Sequence, residues 1–184
     1  MVVNIRVYIL FLLLLSLLTA CSNEQTFEEF FHKEMEENEA QYAEEVNYSY
    51  SLEHTERDAV RPGDAIAVFR ENNPRGEQVF IAYFLKVDGE WKWRRTRGAE
   101  WDTPVKWSAM HKVPYIYSGA ISDPDISEIF VGRERAKIIE VEGDKRFWYV
   151  NSPVKEADVR YVRDDGTEEI VEEIDREMLK DWDK

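Results

Sequence analysis

Few residues in this 184-residue chain have the types and spacing that chemistry needs. One cysteine, Cys21, and three histidines, His32, His54 and His111, stand among 38 Asp and Glu and 24 Lys and Arg. A single thiol excludes an internal disulfide and any zinc site built on several thiolates. The histidines fall on an expected helix, a strand end and a loop, and no local spacing joins them into a metal site. Ser152-Pro153-Val154-Lys155 matches the S-x-x-K step of penicillin-binding proteins, but it lies between two expected strands and lacks the S-D-N and K-T-G companions. The chain holds no G-x-S-x-G, H-E-x-x-H, P-loop or G-x-G-x-x-G. Its carboxylates are so numerous that a pair at glycosidase-like separation would arise in almost any fold, so they nominate no acid and base. Two acidic stretches, Asp123-Pro124-Asp125 and Asp164-Asp165-Gly166, do not match an EF-hand loop, and turn chemistry accounts for them. No catalytic residue, metal ligand or cofactor is nominated.

One local oddity remains, the cationic stretch Glu90-Trp91-Lys92-Trp93-Arg94-Arg95-Thr96-Arg97 in an acidic chain. With Trp91 and Trp93 facing inward, strand alternation puts Lys92, Arg94 and Thr96 on the outer face. Lys92, Arg94 and Arg97 are thus candidate contacts for an anion, such as a phosphate-bearing wall polymer or a lipid headgroup. The competing use is pairing with carboxylates on neighbouring strands or on the first helix.

The use of Cys21 is set by what precedes it. Met1 to Arg6 carries one positive charge, and Val7 to Leu18 is an uncharged apolar run. As a helix, Val7 to Ala20 would span about 21 Å, short of the roughly 30 Å hydrocarbon core of a bilayer. It reads as a signal-peptide core rather than a stable span. Leu18-Thr19-Ala20-Cys21 at its end resembles the lipobox of bacterial lipoproteins. The resemblance implies cleavage between Ala20 and Cys21, diacylglycerol attachment to the Cys21 sulfur, and anchoring of residues 21–184 on the extracytoplasmic face of the cell membrane. The thiol suits that role as the most nucleophilic of the thiol and hydroxyl side chains near neutral pH.

The organisation expected from this is a removed leader, 1–20, a lipidated start and short tether, 21–25, and a mature domain, 26–184. Ser22 to Gln25 reaches only about 13–14 Å when extended, which keeps the domain close to the bilayer. The formal charge is −14, and loss of Arg6 with the leader makes it −15. A balance this acidic argues against nucleic-acid binding, which needs a basic face. The 43% hydrophobic and 13% aromatic content is too high for a disordered acidic chain.

The elements that must position any site begin with a helix. Thr26-Phe27-Glu28-Glu29 forms a capping box, and Phe27, Phe30, Phe31, Met35, Tyr42 and Val46 recur at helical spacing. A membrane-lying helix would carry Lys and Arg on its polar face, whereas this one carries Glu, so packing of Phe27, Phe31 and Met35 on a sheet is expected. From Tyr48 the pattern turns to period two. Strands are expected at 48–53, 65–71, 78–87, 90–97, 115–120, 126–131, 136–142, 146–151, 158–163 and 168–173. The strands 65–71, 78–87 and 90–97 form an antiparallel meander; Val79, Ile81, Tyr83, Leu85 and Val87 share one face of its central strand, and Asp88-Gly89 is a two-residue hairpin turn. Glu142-Gly143-Asp144 and Asp165-Gly166 mark further hairpins, and 174–182 reads as one short helix. The fold class is mainly β, an antiparallel sandwich or half-open barrel of short strands with an N-terminal amphipathic helix packed on it, divisible into halves 26–107 and 112–184.

Gly119-x-Ile121-x-Asp123, then Ile126, Ile129 and Val131, then Phe147-Trp148-Tyr149, looks like the β modules of small lipoproteins from low-GC Gram-positive bacteria, most of which have no assigned activity. The function expected is non-enzymatic binding by a membrane-anchored domain, with an envelope protein or wall polymer as partner. A carboxylate-based envelope hydrolase or modifying enzyme is the alternative.

Overall fold

A computed structural model describes residues 25–42, 48–73, 76–101, 107–171 and 173. The expected leader, Cys21 and the 174–182 helix lie outside them. The helix α1 spans Phe27–Tyr42. Its start is the capping box read from the sequence: the Thr26 amide donates to Glu29 Oε2 at 2.9 Å, and the Glu29 amide donates to Thr26 Oγ1 at 3.2 Å. Two of the amide groups that a helix start leaves unpaired are thereby satisfied.

Twelve strands follow among the described residues, in three antiparallel sheets of four. The front sheet holds the expected three-stranded meander, β2 (Asp64–Asn73), β3 (Gly76–Val87) and β4 (Glu90–Glu100), with β1 (Ser49–Arg57) added beside β2. The middle sheet has the order β5 (Ser108–Ala109), β6 (Tyr115–Ile121), β10 (Arg146–Ser152), β9 (Lys137–Glu140). The back sheet has the order β12 (Glu168–Val171), β11 (Val159–Arg163), β7 (Ile126–Val131), β8 (Glu134–Arg135). Asp88 and Gly89 both have positive φ, 53° and 84°, the backbone that a two-residue hairpin matching the strand twist requires.

Along the central strands successive side chains enter two different cores. Ala65, Ala67 and Phe69 of β2, with Ala82 and Phe84 of β3, share a cluster with Phe27, Phe30, Phe31 and Met35 of α1. The residues between them, Ile66, Val68, Val79, Ile81 and Tyr83, cluster with Ile116, Ala120, Ile139, Phe147 and Tyr149 of the middle sheet. Tyr117, Ile121 and Trp148 point the other way, onto Ile126, Ile129, Val131, Val159 and Tyr161 of the back sheet. The layers therefore run α1, front, middle, back, and no sheet closes on itself as a barrel. The front and middle sheets are covered on both faces, which explains why β2 and β3 read as nearly continuous apolar runs. The first half of the chain supplies α1 and the front sheet, and the second supplies the other two sheets, with a common core between them.

Two bulges adjust which side chains enter that core. On β4, Phe84 pairs with Trp93 but Tyr83 pairs with Arg95, leaving Arg94 as the extra residue. On β1, Leu52 pairs with Phe69 and His54 with Val68, leaving Glu53 extra. An extra residue inverts the alternation beyond it. Arg95 and Arg97 thus face the middle sheet together with Tyr83 and Ile81, and so do His54 and Glu56.

Candidate functional site

The β4 bulge divides the cationic stretch. Lys92 is exposed and paired with Glu90 at 2.6 Å, and Arg94 is exposed. Arg97 is only 7% exposed; its Nε donates to the Ala109 carbonyl at 3.0 Å and its Nη1 to the Thr96 carbonyl at 2.9 Å. Arg95 donates to the carbonyls of Lys112 and Val113 and lies over the Tyr83 ring at 5.7 Å. Lys92, Arg94 and Arg97 therefore form no common anion-binding face. Simple alternation, without the bulge, misplaces the arginines, which fasten the front sheet to the chain segment that opens the middle sheet.

What the sequence did not reveal is a polar cluster at one edge of the seam between the front and middle sheets. Its members are His54 and Glu56 on β1, Lys137 on β9 and Tyr149 on β10. Lys137 and Tyr149 are direct cross-strand partners, and the β1 bulge turns His54 and Glu56 toward them. The Tyr149 hydroxyl donates to Glu56 Oε2, Lys137 Nζ donates to the same oxygen at 2.9 Å, and His54 Nε2 lies 3.0 Å from the Tyr149 oxygen. A phenol has one proton, and here it goes to Glu56; His54 must then present an Nε2 proton to the phenol oxygen, leaving Nδ1 as its lone-pair nitrogen.

The electrostatics follow from burial and from these partners. Burial pushes the Glu56 carboxyl up, but the hydrogen bonds from Tyr149 and Lys137 and the Lys137 charge outweigh it, so its pKa lies below the ordinary carboxylate value. Burial, with the adjacent Lys137 charge, lowers the His54 pKa against the pull of Glu56, and the imidazole is neutral at neutral pH. Burial and Glu56 push the Tyr149 phenol far above its usual range. The four groups form a chain in which Glu56 is the ionised acceptor, Tyr149 and Lys137 its donors, and His54 the donor to the phenol oxygen. A His-x-Glu step in a strand was the available signal, and it carries no information until the bulge and the partner sheet are known.

A second polar group lies along the same seam. Arg70 is gripped by Glu53 at 2.8 Å, Glu77 at 3.3 Å and Glu142 at 2.6 Å, and Lys145 also bonds Glu77. It borders a cleft of about 260 Å³ that includes Ser49, Tyr50, Glu71 and Asn72. Glu53 is the bulged residue of β1, so one irregularity serves both polar clusters.

The other expected features each find a local use. His32 lies 3.1 Å from the Tyr50 hydroxyl, and His111 Nε2 lies 2.8 Å from Glu173 Oε1, so the three histidines occupy three separate places. Among the described residues no three His, Cys, Asp or Glu side chains converge on a point that would hold a metal ion. Ser152 is buried at the end of β10, with its oxygen accepting from the Val154 amide at 3.1 Å, as in a turn, and Lys155 is exposed. The two acidic stretches lie side by side, the Asp164 amide donating to the Asp125 carbonyl at 2.8 Å. Arg163 occupies Asp123 Oδ2 at 2.6 Å, and its hydrogen bond holds that carboxyl below its ordinary pKa. A guanidinium thus sits where a calcium ligand set would need an open oxygen.

No helix among the described residues is long and apolar enough to cross a membrane. Comparison of the chain with protein-family models, with curated proteins and with solved structures finds no match.

Proposed function

We propose that this chain is a bacterial lipoprotein whose mature part, from Cys21, is a non-enzymatic binding domain held by its lipid on the extracytoplasmic face of the cell membrane, in a Gram-positive envelope. The observation that carries the reading is the sequence Leu18-Thr19-Ala20-Cys21 behind one positive charge and an uncharged run too short to span a bilayer. Two acyl chains on Cys21 would give a stable anchor, where one gives only a marginal one.

The start of the fold supports the same arrangement. The capping box opens α1 five residues after Cys21, so the tether is short, and α1 serves as the membrane-proximal cover of a β-sheet stack rather than as a membrane-seeking helix. The charge of −15 beside anionic headgroups keeps the domain standing off the surface to which the lipid holds it. The role left to such a domain is to bind an envelope protein or wall polymer.

The test is phase separation in Triton X-114 of the chain expressed in a Gram-positive host. The unaltered chain is expected in the detergent phase and the Cys21→Ala variant in the aqueous phase. A Cys21→Ala variant that remains in the detergent phase overturns the lipid anchor.

A further inference from the structure

One cleft differs from the Arg70 cleft in how its charges are used. It measures about 350 Å³ and is lined by Ser122, Pro124, Glu140, Gly143, Asp144 and Arg146. Glu140 and Arg146 are direct cross-strand partners on β9 and β10, on the face of the middle sheet that carries Trp148. That placement favours an ion pair. The pair is not made. Arg146 turns away and donates to three main-chain carbonyls, Ile126 at 2.9 Å, Asp123 at 2.7 Å and Pro124 at 3.2 Å. Three of its five N–H donors are thereby spent and two remain.

The consequence is a cleft with unmatched charges of both signs. The carbonyls fix the guanidinium without neutralising it, and no carboxylate among the described residues lies within ion-pair distance of it. Glu140 and Asp144 are exposed and likewise have no cation within that distance among the described residues. Asp123, on the same loop as two of the carbonyls, is already held by Arg163. In the Arg70 cleft, by contrast, three carboxylates converge on one guanidinium and more than balance its charge.

We propose that this cleft binds a small zwitterion, an amino acid or a short peptide with free ends, its carboxylate on Arg146 and its ammonium between Glu140 and Asp144. A simple anion would meet two carboxylates and the strongly acidic surface of the protein. A simple cation would meet the fixed guanidinium. A ligand carrying both charges satisfies both ends. The volume lies at the low end for small-molecule sites, which suits a ligand of amino-acid or dipeptide size. The proposal names a ligand class for the binding role proposed above and rests on that reading.

The experiment is saturation-transfer NMR on the full chain solubilised in detergent, with glycylglycine as probe. Saturable transfer in the low-millimolar range is expected. N-acetyl-glycylglycine, which lacks the ammonium, and glycylglycinamide, which lacks the carboxylate, should each bind at least about ten-fold more weakly, as loss of one charge-assisted contact implies. Glu140→Gln with Asp144→Asn should cause a similar loss, and Arg146→Gln likewise. Because Arg146 also holds the 123–126 loop, the two exposed carboxylate substitutions carry the test if Arg146→Gln fails to fold. No transfer at about 20 mM probe, equal binding of the capped probes, or binding unchanged by Glu140→Gln with Asp144→Asn overturns the proposal. Phase partitioning reads Cys21 independently: an anchored chain that does not bind the probe removes the cleft alone, and a chain that binds without being anchored removes the lipoprotein reading.

Discussion

Replacing Phe31 by Ala tests whether α1 is an integral layer of the fold. The ring is fully buried, and Phe69, Trp93, Phe84, Tyr50 and Phe27 surround it at centroid distances of 5.4, 6.0, 6.2, 6.3 and 6.5 Å. Truncating a buried Phe costs about 3–5 kcal/mol, the transfer free energy of the ring plus the penalty for the space left behind. The upper half of that range is expected, because Phe69, Phe84 and Trp93 are fixed by strand pairing and cannot close around the gap. At about 2–4 °C per kcal/mol for a chain of this size, the melting temperature should fall by about 8–20 °C. Calorimetry of the unaltered chain and of Phe31→Ala, with the exposed Glu36→Ala as control, measures this; the control should stay within about 0.5 kcal/mol. Loosening of α1 should also expose the Phe69, Phe84 and Trp93 face and raise binding of a hydrophobic dye. A loss below about 1 kcal/mol with dye binding unchanged would refute the idea that α1 seals the front sheet.

Two further outcomes follow from the seam. His54 is held neutral in the fold, so its contribution to stability is present above its unfolded pKa, near 6.5, and is lost as pH falls through the lower folded value; Glu56 adds a second loss below its ordinary value near 4.5. Lys137→Ala should raise the His54 pKa and Glu56→Gln should lower it further; an NMR titration of the three histidine rings reads both, and a His54 ring titrating at or above 6.5 in the unaltered chain contradicts the assignment. On β4, Arg97→Ala should cost about 2–3 kcal/mol in urea unfolding, because the Ala109 carbonyl loses a charged donor inside the protein, whereas Arg94→Ala, three residues away, should cost no more than about 0.5 kcal/mol. Equal effects of the two substitutions would mean that the bulge is misplaced.

The elements were largely legible because their signals are local. The Thr26 and Glu29 pair marks a helix start wherever the rest of the chain lies, and Asp88-Gly89 requires only its own two dihedral angles. The observed β7 matches its expected bounds, 126–131, since Ile126, Ile129 and Val131 are buried while Ser127 is exposed. The short strands β5 and β8 were not legible: two residues carry no periodicity, and each exists only because β6 or β7 offers it an edge. The order of the middle and back sheets was equally hidden, because β6 pairs with β10 and β7 with β11 across 24 and 27 intervening residues.

The sequence alone determines that this chain is mainly β behind one capped helix, that it is acidic, and that it has a single thiol. Those properties depend on composition and on neighbours within a few residues. Only the tertiary structure decides which polar side chains meet, since the extra residues at Glu53 and Arg94 reverse the alternation that sequence reading assumes. Arg97 becomes a buried fastener, while His54 and Glu56 find Tyr149 and Lys137 more than eighty residues away. The unmatched charges of Glu140 and Arg146 arise in the same way: strand register makes them neighbours, and the carbonyls of another loop draw them apart.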